Sequence, residues 1–102
     1  MKYKSTTLLK LEKSRYSIVT DDMENCILCK KPNIDINEIY PGRNRQNSMK
    51  YGLCIPLCRY HHDLYHNDRK MQLYFMKIGQ NKFEENYPQL NFINIFHKNY
   101  KD

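Results

Sequence analysis

Cys26-Ile27-Leu28-Cys29 and Leu57-Cys58-Arg59-Tyr60-His61-His62 each place two metal-binding side chains with two residues between them. A tight turn with that gap aims both side chains at one ion. Two such turns supply four ligands, so Cys26, Cys29, Cys58 and His61 predict a tetrahedral Cys3His zinc site. Four protein ligands leave no open position for substrate, and this zinc is expected to be structural rather than catalytic. Cys54 is the competing ligand. It lies on a strand candidate without a partner at knuckle spacing, and reads better as a small buried hydrophobe. His62 is left over beside the site.

The elements that must hold these residues belong to a short chain. Its 102 residues make one small domain, 40% hydrophobic, with nine tyrosines and no tryptophan. A core of this size is marginal, so a structural metal would help hold it together. Four cysteines could also form two disulfides. No secretory leader is expected, and no apolar run in this sequence is long enough to span a membrane as a helix. The expected location is cytoplasmic, where thiols stay reduced, and this favours zinc over disulfides. A net charge of +6 and a pI near 9.2 suit a polyanionic partner such as DNA. The plain alternative is a Lys- and Asn-rich sequence that is basic through codon usage.

The pattern along the chain predicts a small α+β domain. Residues 1–20 read as a basic N-terminal arm, with Leu8, Leu9 and Leu11 in a short helix or loose segment. Ser17 to Thr20 is a strand candidate, and Thr20 or Asp21 can cap a helical turn leading to the first knuckle. The knuckle core is expected over residues 21–66. Lys30-Lys31-Pro32-Asn33 is a turn. Ile34, Ile36 and Tyr40 alternate with polar residues as one strand, and Leu53, Ile55 and Leu57 as a second. Pro41-Gly42 breaks the first, and Arg43 to Ser48 reads as a polar, basic loop between them. A helix begins near His61. Residues 67–102 are expected as C-terminal helices. Met71, Tyr74, Phe75 and Ile78 mark one apolar face. Gly79 weakens that helix, and Pro88 ends it by Tyr87. Phe92, Ile93 and Phe96 suggest a last short helix.

Two strands followed by a helix, clamped by paired knuckles with a histidine on the helix, resemble the HNH (ββα-metal) nuclease motif. Nearly the whole chain is similar to small phage-encoded HNH endonuclease-like proteins. The similar stretches are Leu11 to Ile18, Thr20-Asp21-Asp22, the Cys26/Cys29 knuckle, Glu38 to Gly42, Asn44-Arg45-Gln46, Ser48 to Leu53 and Pro56-Leu57-Cys58. Gln80 to Glu84 and Phe96 to Tyr100 extend the likeness into the tail. The resemblance implies a zinc-stabilised ββα fold, phage or prophage origin in a bacterial host, and metal-dependent phosphodiester hydrolysis. It implies a second divalent ion, Mg²⁺ or Mn²⁺, at Asn37, His62 and His66, with Glu38 and His62 in catalytic roles. Arg43, Arg45 and Lys50 become DNA contacts, with Tyr40 and Tyr51 packed beneath them. Arg69, Lys70 and Lys77 are left as helix surface and His97 as structural or exposed.

The chain departs from the family at Asn37-Glu38-Ile39, where the group usually has His-Glu-Ile or His-His-Ile. An amide cannot act as a general base. Glu38 can bind a hard cation or take a proton, provided strand register turns it into the site. His62 and His66 share a helix face and can hold one ion. The plain reading is that His62 orients a backbone carbonyl and His66 is solvated. Three functions follow: a DNA endonuclease, an inactive relative that only binds nucleic acid, and an interaction protein that binds and inhibits a host defence protein, in the manner of an anti-CRISPR.

Overall fold

A computed structural model of the chain describes residues 6–101, with side chains from Leu8 onward. Residues 1–5 of the expected basic arm lie outside the described residues. The elements run α1 (Thr6–Lys13), β1 (Ile34–Glu38), a 3-10 turn (Gly42–Asn44), α2 (Arg45–Lys50), β2 (Cys54–Cys58), α3 (Arg59–Asn67), α4 (Arg69–Asn86) and α5 (Phe92–Phe96). This is an α+β chain with two antiparallel strands and several helices, as the alternation predicts. No helix among the described residues is long and apolar enough to cross a membrane.

The strands pair with Ile34 opposite Cys58, Ile36 opposite Pro56 and Glu38 opposite Cys54. Pro56 has no N–H to give, yet it sits mid-strand. Its C=O accepts from the Ile27 N–H at 2.9 Å, on the edge of β2 away from β1. In an extended strand the N–H and C=O of one residue point the same way. The missing donor therefore falls on the outer edge, where proline is tolerated. The same bond docks the first knuckle against β2, which is buried along its whole length.

Four expectations need correction. Ser17 to Thr20 is not a strand: the Ser17 hydroxyl accepts from the N–H groups of Val19 and Thr20 and closes a local turn instead. Before the first knuckle Asp21 caps nothing among the described residues: the Asp22 carboxylate accepts from the N–H groups of Glu24 and Asn25, while Thr20 Oγ1 does cap, accepting from the Asp22 N–H at 3.2 Å. Arg43 to Ser48 is not an open loop: it holds the 3-10 turn and most of α2, with Asn44 and Ser48 buried. The Ser48 hydroxyl is satisfied by backbone, whereas Asn44 is satisfied through its amide nitrogen alone, its Oδ1 being buried without a hydrogen-bond partner. Ser48 Oγ donates to the Tyr40 C=O and accepts from its N–H, while Asn44 Nδ2 donates to the Phe96 C=O. On α4 the buried face is Phe75, Met76, Gly79, Gln80 and Phe83, and Tyr74 is exposed.

Tyr40 explains this rotation of α4. Its ring packs on Phe92 and Phe96 at 5.4 and 4.8 Å between centroids, and its hydroxyl donates to the Met76 C=O. Gly79 makes room: a Cβ there would lie 2.7 Å from the Tyr40 hydroxyl. Burial pushes the Tyr40 phenol well above its usual range. Phe83, Phe92 and Phe96 complete the cluster, each ring pair adding about 0.5–1.5 kcal/mol beyond buried area. Asp68 caps α4 by accepting from the Met71 N–H, and Asn91 caps α5 through the Asn94 N–H. α4 ends at Asn86 before Pro88, as expected.

Candidate metal centre

Cys26, Cys29, Cys58 and His61 converge, with one ligand atom from each and all four atoms within 4.8 Å of one another. Among the described residues this is the one group of three or more Cys, His, Asp or Glu placed to share an ion. Backbone turns build it. The Cys26 N–H donates to the Lys31 C=O at 2.8 Å and the Lys30 N–H to the Cys26 C=O at 2.9 Å. Lys30 and Asn33 take left-handed φ of 66° and 63° to bend the chain out of the knuckle. On the other side, Cys58 ends β2 and His61 lies in the first turn of α3.

The distances fit a tetrahedral ion. Bonds of roughly 2.3 Å to sulfur and 2.0 Å to nitrogen place sulfur pairs about 3.8 Å apart and sulfur–nitrogen pairs about 3.5 Å apart. Here Cys29 Sγ to Cys58 Sγ is 3.6 Å, Cys26 Sγ to His61 Nδ1 is 3.5 Å and Cys58 Sγ to His61 Nδ1 is 3.3 Å. All four cysteines are free thiols, which excludes the two-disulfide alternative in this structure. Burial disfavours the Cys26 thiolate, but hydrogen bonds from the backbone at Cys58, Cys29 and Leu28 outweigh it and bring the thiol down to about 6. At Cys29 the backbone at Lys31 acts in the same sense, but burial and the adjacent Cys58 and Cys26 thiols prevail and raise it. Such crowded sulfurs need a cation to ionise together. The cluster is thus suited to a metal ion, and its donor set is that of structural zinc. Cys54 is not part of it: its buried thiol is pushed up to about 12, first by desolvation and then by the Glu38 carboxylate.

His62 and His66 meet with Nε2 atoms 3.3 Å apart. His62 Nδ1 is buried without a hydrogen-bond partner, the nearest acid being Asp63 Oδ1 at 3.7 Å. Arg59, His62, Asp63 and His66 share one side of α3 by their spacing. Arg59 binds Asp35 of β1 at 2.9 Å, so this side of α3 neighbours the strand face carrying Asp35. Asn37 lies on that same face by alternation, buried, with Nδ2 donating to the Glu38 C=O at 3.3 Å.

Register turns Glu38 the other way, which corrects its expected place beside His62. Its carboxylate is held by Arg45 and by Arg15, the latter at 3.4 Å. Arg45, expected as a DNA contact, binds Glu38 and Glu12 in this structure. These partners hold its guanidinium above its usual range, Glu12 first and Glu38 next. Arg43 and Lys50 are exposed, and Lys50 Nζ stands 5.3 Å from the Tyr51 ring centre. His97 is exposed and ends α5 in a left-handed conformation. Arg15 and Glu12 were not among the expected site residues; their partners are distant in sequence, and no spacing rule connects them. Comparison of the chain with family models, with curated proteins and with solved structures returns no match.

Proposed function

We propose that this chain is an HNH-like DNA-acting protein with impaired cleavage. In this reading the Cys3His zinc holds the scaffold while His62 and His66 hold a divalent ion. The observation that carries it is the His62–His66 contact. Two nitrogens bound to one ion lie roughly 3.0–3.4 Å apart, and these are 3.3 Å apart. Two imidazoles suit Mn²⁺ or Zn²⁺ better than Mg²⁺, which prefers oxygen. A divalent ion there would supply charge neutralisation at a scissile phosphate. Asn37, on the neighbouring strand face, offers an amide that hydrogen-bonds but takes no proton at neutral pH. Glu38 is engaged by Arg15 and Arg45 on the other face. A positioned base is thus missing, and general-base catalysis is typically worth about 10²–10⁴-fold. The net charge of +6 supports a polyanionic ligand.

Nicking of supercoiled plasmid by zinc-loaded protein tests this. Slow, Mn²⁺-dependent nicking that disappears in His62→Ala is expected, with salt-sensitive DNA binding retained. Absence of both nicking and low-salt DNA binding overturns the proposal. A second reading is favoured by Tyr60 and Tyr74, which are 70% and 62% exposed. Exposed tyrosines are common at protein interfaces, and such a surface would fit a host defence protein as target.

A further inference from the structure

Four charged side chains meet on the face of β1 turned away from the histidines. Arg45 of α2 binds the carboxylates of Glu38 and Glu12. Arg15, just after α1, stands 3.4 Å from Glu38 and 3.7 Å from Glu12. Arg15 Nε also donates to Met49 Sδ at 3.5 Å, which fixes its direction. The four charges cancel. The two acids differ in how they are held. Glu38 is built into the paired strand β1. Glu12 rides on α1, which packs on α2 and, among its described side chains, contributes none to the buried core. The Glu12 carboxylate is therefore the movable partner of two fixed guanidinium groups.

Without Glu12, the group of Arg15, Arg45 and Glu38 carries one net positive charge, which one phosphodiester neutralises. A guanidinium fork accepts phosphate oxygens with the same geometry it offers a carboxylate. Arg43 and Lys50 are exposed and close by in the chain. We propose that Arg15 and Arg45 form a phosphodiester-binding site that the Glu12 carboxylate occupies in the free protein, and that a nucleic-acid phosphate displaces that carboxylate. Naming DNA as the source of the phosphate rests on the function proposed above; the site itself does not.

The test is Glu12→Gln in the full zinc-loaded chain, with Glu85→Gln as a control of equal charge change on the exposed side of α4. Duplex DNA affinity at low salt should rise about three- to fivefold in Glu12→Gln and less in Glu85→Gln, as for loss of one competing ion pair. The slope of log affinity against log salt should stay close to that of the parent, because the same phosphates are bound in both proteins. Arg45→Lys keeps the charge but removes the fork, and in combination with Glu12→Gln it should abolish the gain. Inorganic phosphate, followed through the Arg45 Nε–Hε NMR signal, should shift Glu12→Gln at lower concentration than the parent. Equal gains in Glu12→Gln and Glu85→Gln, or no phosphate response at Arg45 in either protein, overturn the site. A phosphate response enhanced in Glu12→Gln in a protein that binds no DNA upholds the site and overturns the DNA reading.

Discussion

Replacing Cys58 by serine removes a ligand at a position that also ends β2 and precedes α3. A structural zinc with four ligands contributes about 10–16 kcal/mol, so one ligand carries roughly 2.5–4 kcal/mol. Serine offers a hard, poorly ionised hydroxyl in place of a soft thiolate and does not replace it. A domain of this length is stable by only about 5–15 kcal/mol. Each 1 kcal/mol moves its Tm by about 4–8 °C, which gives a fall of about 10–32 °C. Circular dichroism melting, with metal content measured on the same samples, reads both quantities. Cys54→Ala is the matched control: it removes a buried thiol outside the cluster and should keep one zinc per chain, at a cost of about 1 kcal/mol. A Cys58→Ser protein that retains one zinc per chain and melts within about 4 °C of the parent refutes the reasoning.

Gly79→Ala should destabilise the chain by about 1–3 kcal/mol in urea unfolding, although helix propensity alone favours alanine by about 1 kcal/mol, because the new methyl meets the Tyr40 hydroxyl. A more stable Gly79→Ala protein would show that α4 does not press on Tyr40. Cys54, with its thiol pushed up to about 12 by burial, should resist iodoacetamide at pH 8 in the folded zinc-loaded protein. Its thiolate fraction there is on the order of one in ten thousand, so rapid alkylation seen by mass spectrometry would contradict its burial. Asn37→His should raise Mn²⁺-dependent plasmid nicking by about 10²-fold or more if the missing imidazole is the defect, and no gain would count against that explanation.

The metal ligands were legible because knuckle spacing is a local property, and β1 and β2 because alternation is one too. α2 was not, since Met49 is its one large apolar residue and its other buried side chain, Ser48, bonds to backbone contributed from elsewhere. The face of α4 was misread for a related reason. Gly79 and Gln80 belong to it, one to admit a ring and the other to bind the tail, where Gln80 Nε2 donates to Asn99 and its Oε1 accepts from the Tyr100 N–H. Neither reads as hydrophobic. The direction of Glu38 depended on strand register, which a one-residue slip inverts. Its pairing with Arg15 and Arg45 joins segments that no periodicity relates.

The Cys3His cluster also bears on the order in which the chain assembles. It joins the segment before β1 to the end of β2 and the start of α3, so its four ligands come together only when the intervening chain closes into a loop. Closing that loop costs entropy before any strand contact offsets it. A zinc ion held at one knuckle and captured by the other would meet much of that cost early, and bring Ile34 opposite Cys58 at the end where the strands first pair. The folding rate of this chain should then rise with free zinc until capture is no longer limiting. Newly made protein would mature only as fast as the surrounding zinc supply permits.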